Sequence, residues 1–170
     1  ERRVFDLPWR AKLRGCRRFR WRGNLFYREG QFARAAVQYE AALAWYEYTF
    51  PESSEGTAAV DAERVSALCN LAACQLQLRK YKDAEGSCDQ ALHMDAHCIK
   101  ALFRRAVARR HQFLFEGAAA DLRTLHSLLT PPPPPLVREF RLLRAARAVY
   151  RKRKAQMSKS MFQGEEEGDD

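Results

Sequence analysis

Two amide side chains and three cations stand at regular positions in this 170-residue chain. Its only asparagines are Asn24, four residues after Arg20, and Asn70, while Lys100 and Arg104 are again four residues apart. Residues four apart lie on one face of a helix, so each pair faces the same way if its segment is helical. Arginine and lysine offer charged N–H donors, and asparagine offers amide donors without adding charge. The set therefore predicts a receptor for carboxylates.

The elements that would position these residues are helices. Glycine occurs only 8 times, and five of the 7 prolines are bunched at 131–135. Long stretches rich in Ala, Leu, Arg, Glu and Gln therefore run without helix breakers, which favours an all-α chain. The predicted helices are 7–29, 32–50, 58–79, 82–93, 97–110, 114–129 and 136–161.

An internal repeat organises most of the chain. Ala35, Ala84 and Ala118 share a surrounding pattern, and the last two are 34 residues apart. The first two are 49 apart, because an insertion of 15 residues, including the polar stretch 51–57, separates them. The pattern resembles the tetratricopeptide repeat (TPR), a 34-residue helix–turn–helix unit. The resemblance implies three repeats over 16–130 that form a right-handed superhelical groove.

Small and aromatic positions of the first repeat carry this resemblance most clearly. Gly23 and Ala42 stand where the family's helices approach closely, and Phe26, Phe32 and Tyr39 would fill the space between them. In the third repeat, Arg109 replaces an apolar residue and Leu125 replaces a small one, so that repeat is the least regular.

The segments outside the repeats have distinct compositions. We expect a linker and the start of the first helix at 1–15, a proline linker at 131–135, a basic helix at 136–162 and an acidic disordered tail at 163–170. The basic helix carries an apolar stripe with 3–4 spacing, which predicts a seventh helix that caps the last repeat. The stripe consists of Leu136, Phe140, Leu143, Ala146 and Tyr150.

The five polar residues match, position by position, the carboxylate clamp of TPR co-chaperones. That family grips the C-terminal Glu-Glu-Val-Asp of heat-shock proteins 90 and 70 with the first helix of each repeat. Arg20 stands where the family usually has lysine, and an arginine offers a planar fork in place of a point donor. By the same resemblance, two aromatic residues would flank the peptide's apolar side chain. The implied peptide-binding residues are Arg20, Asn24, Tyr27, Asn70, Lys100, Phe103 and Arg104.

Further segments resemble the TPR region of large FKBP-type immunophilins, a layout shared by relatives of the aryl-hydrocarbon-receptor-interacting protein. In those immunophilins the region follows peptidyl-prolyl isomerase domains. The resemblance implies a non-enzymatic docking module in a longer protein, cytoplasmic and also nuclear in location. The segments are 45–48, 70–76, 88–92, 100–105 and 156–162.

The net charge of +9 leaves other acidic partners open. The alternative function is a basic helical-repeat scaffold that binds nucleic acid or another acidic protein. The basic run 151–154 is most simply a solvated helix end, and the other interpretations are calmodulin binding, as in the corresponding region of some immunophilins, RNA binding and nuclear import. No apolar run approaches 18 residues, so we expect no membrane span. We expect a monomer.

Neither metal binding nor catalysis is expected. The five cysteines lack C-x-x-C spacing, and we expect small buried hydrophobes in a reducing compartment. His93 and His97 are four apart but straddle a repeat junction, which argues against a shared helical face for a metal. The sequence has no glycine-rich phosphate loop and no nucleophile motif, so we expect no cofactor and no catalysis by this chain.

Overall fold

The computed structural model describes residues 6–166, with side chains from 6 to 159. Within this range the chain forms helices and no strands, so the all-α prediction is confirmed. Residues 1–5 of the predicted linker and 167–170 of the predicted tail lie outside the described residues. The helices are α1 (Trp9–Arg28), α2 (Phe32–Tyr46), α3 (Ser54–Gln77), α4 (Tyr81–Met94), α5 (Ile99–His111), α6 (Phe115–Leu128) and α7 (Pro134–Glu166).

The helices pack as successive pairs, α1 with α2, α3 with α4 and α5 with α6. The turn inside each pair has a residue with positive φ at the same place: Gly30 at 74°, Arg79 at 59° and Phe113 at 62°. The next residue's N–H bonds back to the carbonyl five residues earlier, at 2.8, 2.8 and 2.9 Å in the three turns. This bond and the left-handed residue define a Schellman motif, which satisfies carbonyls at the helix end. One turn geometry is therefore used three times.

The repeat alanines Ala35, Ala84 and Ala118 are each fully buried. Each lies in the first two turns of the second helix of its pair. A larger side chain would push the paired helices apart, since protein interiors are close-packed. Burial at these positions explains why the sequence repeats there.

The insertion in the first repeat is more helical than its sequence suggests. The predicted loop 51–57 is shorter, because α3 begins at Ser54. The Ser53 side chain accepts a hydrogen bond from the Gly56 N–H at 3.1 Å, which caps the new helix start. Helix α2 ends at Tyr46, four residues before the predicted end at 50. Just beyond this end, the Thr49 hydroxyl donates a hydrogen bond to the Trp45 carbonyl in the last turn of α2.

Helix α7 closes the open end of the repeats by packing on α6 and α5. Leu136 and Leu143 of its apolar stripe are buried in the main core, and Phe140 and Ala146 pack against that core. The helix begins at Pro134, inside the predicted proline linker, because proline suits the first turn of a helix. It continues to Glu166, so residues 163–166 of the predicted tail are helical. None of the described helices combines the length and apolarity that a membrane span requires.

Candidate carboxylate-binding site

A hydrogen-bonded chain fixes the two asparagines at the inner face of the first two repeats. The Tyr39 hydroxyl donates to Asn24 Oδ1 at 2.7 Å, and Asn70 Nδ2 donates to the same oxygen at 3.1 Å. With its oxygen used twice, Asn24 keeps its Nδ2 hydrogens, which have no partner within residues 6–159. Burial raises the pKa of Tyr39 to about 12, so its hydroxyl stays protonated and donates at neutral pH. The site therefore presents amide donors.

Gly23 lets this chain of bonds form. A Cβ built on Gly23 would lie 2.6 Å from the Tyr39 ring, closer than any real contact. The predicted close approach of α1 and α2 at Gly23 is thus present, and it seats the Tyr39 ring beside Asn24. Tyr39 itself is almost fully buried.

Arg104 brings a cation from α5 to the asparagines. Its Nη1 donates to the Cys69 carbonyl at 2.9 Å, in the residue immediately before Asn70. A guanidinium has five N–H donors, and the structure describes no partner for the others. The bond anchors the arginine and leaves donors for a ligand.

These side chains line one cavity of about 430 Å³. Four predicted contact residues meet there: Asn24, Tyr27, Asn70 and Arg104. The remaining lining residues were not predicted as contacts: Trp21, Arg28, Tyr39 and Ala73. Trp21 is 58% exposed. Its spacing from Asn24 and Arg28, three and seven residues along α1, is a helical-face pattern that could have revealed both.

Arg20 does not line this cavity. Its Nη2 lies 2.7 Å from Glu63 Oε2, and Arg17 binds the other oxygen of Glu63 at 2.8 Å. The sequence prediction treated Arg20 as a cation available to a ligand. In the structure, Arg20 lies in an ion pair with a carboxylate of α3, and its Nε has no hydrogen-bond partner among the described residues.

Lys100 and Phe103 line a neighbouring cavity of about 220 Å³ with mostly apolar walls. Arg104 borders both cavities. The cavity that contains the two asparagines is called the polar chamber below, and the cavity beside Phe103 is called the apolar chamber. Lys100 is exposed, and the structure describes no ion-pair partner for it. The apolar walls come from α5, α6 and the start of α7: Ile99, Phe103, Leu125, Leu129, Pro133, Pro135 and Leu136. The proline segment thus shapes part of the candidate site.

A cavity of about 670 Å³, larger than either of these two, lies elsewhere. It runs between Phe113 and the outer part of α7, and none of the predicted contact residues lines it. Arg153 and Lys154, from the run considered for calmodulin, stand on its edge. The two smaller cavities fit a carboxylate ligand better, because they contain the convergent polar donors.

The architecture defines a TPR domain. The C-terminal TPR-containing domain of a Plasmodium falciparum FK506-binding protein superposes with a TM-score of 0.80 at 22% identity, covering 88% of this chain and 99% of that one. The second TPR domain of human RPAP3, solved in complex with the HSP70 peptide SGPTIEEVD, has a TM-score of 0.60 at 28% identity, covering 74% and 92%. The second TPR of Spaghetti (RPAP3), bound to the HSP90 peptide SRMEEVD, has a TM-score of 0.58 at 26% identity, covering 71% and 91%.

By sequence, the chain is similar to part of two FKBP-type immunophilins. It is 36% identical to human peptidyl-prolyl cis-trans isomerase FKBP4 over 107 residues, 63% of this chain and 23% of that protein. It is 31% identical to Arabidopsis thaliana peptidyl-prolyl cis-trans isomerase FKBP42 over 166 residues, 96% of this chain and 45% of that protein. The chain thus spans less than half of either relative. No protein-family model matches it. A relationship to the aryl-hydrocarbon-receptor-interacting protein group stays a prediction.

Proposed function

We propose that this chain is a docking module that binds the C-terminal Glu-Glu-Val-Asp of heat-shock protein 90, with heat-shock protein 70 as the alternative chaperone. The observation that carries this proposal is the convergence of Asn24, Asn70 and Arg104 on one cavity. A terminal aspartate offers two carboxylates, and charge-assisted hydrogen bonds to such groups are roughly twice as strong as neutral ones.

The paired cavities also match the ligand's shape. The carboxylates would enter the polar chamber, and Arg104 and Lys100 would bind at the border between the chambers. The apolar chamber beside Phe103 would accept an apolar side chain of the peptide. Two solved TPR domains that superpose on this chain hold peptides ending in Glu-Glu-Val-Asp, which supports the same ligand class here.

The test is a calorimetric titration of the chain with the peptides SRMEEVD and SGPTIEEVD. We expect Lys100→Ala and Arg104→Ala each to weaken binding by about 10- to 150-fold, the effect of losing a hydrogen bond to a charged group. Lys82→Ala and Arg123→Ala are the charge-matched controls, because these exposed residues line neither chamber. Equal losses of peptide affinity in the variants and the controls would indicate general electrostatic attraction and would contradict a specific site at Lys100 and Arg104.

The alternative, a scaffold for nucleic acid, is weakened by where the cations lie. On α5, Arg105 pairs with Asp89 and Asp121, and Arg110 pairs with Glu139. Such cations are not available to phosphates. A nucleic-acid binder would lose affinity steeply with salt and tolerate Arg104→Ala, which distinguishes the two functions.

A further inference from the structure

Two free cysteines from different repeats lie side by side behind the candidate site. Cys69 Sγ of α3 and Cys98 Sγ, just before α5, are 3.5 Å apart. The two residues are separated by 29 positions in the sequence. Cys69 is only 1% exposed, whereas Cys98 is half-buried. One thiol of the pair is therefore open to small molecules, and the other stands directly behind it.

The surroundings favour a thiolate at Cys98. Cys98 is the N-cap of α5, where the free backbone N–H groups of a helix stabilise negative charge. The Cys69 thiol, followed by the N–H groups of Ala101 and Lys100, lowers the pKa of Cys98 against the opposing effects of burial and of the Asp95 charge. The hydrogen bond with Cys98 and burial raise the pKa of Cys69, which keeps its proton. The pair thus combines a nucleophile with a neighbouring thiol.

The other three cysteines lack this combination. Cys16, Cys74 and Cys88 are fully buried. Burial raises the pKa of each thiol, to about 11, 11 and 12 respectively. A buried neutral thiol reacts slowly with oxidants. They behave as the small hydrophobes that the sequence predicts, and Cys98 departs from that expectation.

Both cysteines are attached to the residues of the candidate site. The Cys69 carbonyl accepts the hydrogen bond from Arg104, and Asn70 is the next residue. Lys100 follows Cys98 by two positions, in the first turn of α5. A movement that joins the two sulfurs would therefore shift the start of α5 relative to α3. It would change the distance between Lys100 on α5 and Asn70 on α3.

We propose that Cys69 and Cys98 form a peroxide-sensitive thiol pair whose disulfide lowers the chain's affinity for its carboxylate ligand. The Cys98 thiolate attacks hydrogen peroxide, gains one oxygen as a sulfenic acid and releases hydroxide. The Cys69 thiol then attacks that sulfur, the S–O bond breaks, and hydroxide leaves and takes up the Cys69 proton as water. Overall, two thiols and one peroxide give one disulfide and two waters.

The bond requires the sulfurs to close from 3.5 Å to about 2.05 Å. Cys98 lies at the end of a short loop, so it would move toward α3 and carry the first turn of α5 with it. Lys100, in that first turn, would leave its position at the apolar chamber. This effect on affinity rests on the proposed function, whereas the formation of the disulfide does not.

The experiment treats the full chain with hydrogen peroxide, blocks remaining thiols and maps the peptides by mass spectrometry without reductant. We expect a Cys69–Cys98 cross-link with the loss of two hydrogen atoms, reversed by dithiothreitol. Affinity for SRMEEVD should fall by about fivefold or more on oxidation, at the lower end of typical coupling between sites. Cys98→Ser should abolish both changes. Serine is a favourable N-cap, so this variant keeps α5 intact.

Cys16→Ala is the control, since Cys16 is buried in a different core cluster from the pair, and it should respond to peroxide as the unmodified chain does. A cross-link between other cysteines, or accumulation of sulfenic or sulfinic acid on Cys98 without a cross-link, would overturn the thiol pair. A mapped Cys69–Cys98 bond with unchanged affinity would overturn the coupling to the site. Failure of the reduced chain to bind either peptide would contradict the proposed function, and the peptide map would still decide the thiol pair.

Discussion

Arg20 and Glu63 form an ion pair that joins α1 to α3, with Nη2 of the arginine 2.7 Å from Oε2 of the carboxylate. Arg17 shares the same carboxylate. Arg20 would have to break or share this pair before it could bind a ligand's carboxylate. The cations that remain near the candidate site are Arg104 and Arg28 in the polar chamber and Lys100 beside it.

Arg20→Ala should therefore weaken SRMEEVD binding much less than Arg104→Ala does. We expect a change within about threefold in Kd for Arg20→Ala, or under about 1 kcal/mol, because Arg20 does not line the cavity. Calorimetry on the two variants checks this. Equal losses for both would mean that Arg20 leaves Glu63 to bind the peptide.

Glu63→Gln should tighten peptide binding. The change removes the carboxylate that competes for Arg20 and also a negative charge beside the ligand's own acids. Glu52→Gln, an exposed residue in the loop before α3, controls for general loss of one negative charge. Weaker binding in Glu63→Gln than in Glu52→Gln would show that the ion pair supports the site.

Tyr39→Phe should lower both stability and peptide affinity. It removes the hydrogen bond to Asn24 Oδ1, and we expect about 1 kcal/mol less free energy of unfolding. Tyr46→Phe is the matched control, because the buried Tyr46 hydroxyl has no hydrogen-bond partner among the described residues. Its removal should be neutral or stabilising. Urea denaturation measures both, and equal effects would contradict the role of the Tyr39 hydroxyl.

Asp121→Asn should destabilise the third repeat strongly. Asp121 is 3% exposed and accepts hydrogen bonds from Arg105 at 2.6 and 3.0 Å and from Arg109 at 3.0 Å. We expect about 3 kcal/mol less free energy of unfolding, because two guanidinium groups lose their buried partner. Glu116→Gln breaks an ion pair whose acid is 77% exposed and should cost less than about 0.5 kcal/mol. Similar costs for the two would contradict this account.

Two glycines should respond to alanine with opposite signs. Gly30→Ala should lower the free energy of unfolding by about 1 kcal/mol or more, because a φ of 74° is strained for any residue with a Cβ. Gly86→Ala, inside α4, should raise the free energy of unfolding by about 0.5–1 kcal/mol, because alanine has the higher helix propensity. Neither position has an atom within 4 Å of the new Cβ, so packing does not complicate the comparison. Thermal unfolding measures the stability of both variants, and a less stable Gly86→Ala variant would contradict the prediction of opposite signs.

The sequence predicted the repeats well because their signals are local. The buried alanines recur at fixed spacing, and the starts of α2, α4 and α6 fall within one residue of the predicted positions. The insertion was less predictable: the Ser53 cap moved the start of α3 into a stretch whose composition suggested a loop. Arg109, which broke the repeat pattern, is explained by Glu85 and Asp121, which pair with it.

In the candidate site, the two asparagines could be predicted as contacts, because they are the only asparagines of the chain and both fall at the expected positions of the repeat. The ion pair of Arg20 was not predictable, since its partner Glu63 lies 43 residues away in the sequence and no local spacing encodes that contact. Trp21 was not predicted, although it lies on the same side of α1 as Asn24 and Tyr27, which were predicted and do line the cavity. The proximity of Cys69 and Cys98 depends on how α3 packs against α5, which the sequence pattern does not specify.

The central claim is that the polar chamber recognises a free C-terminal carboxylate. The measurement is the calorimetric affinity of the chain for SRMEEVD against the same peptide with an amidated terminus. Amidation should cost about 1.5–3 kcal/mol, the range for hydrogen bonds to a charged group, which is about 10- to 150-fold in Kd. Equal affinities for the free and amidated peptides would contradict the account.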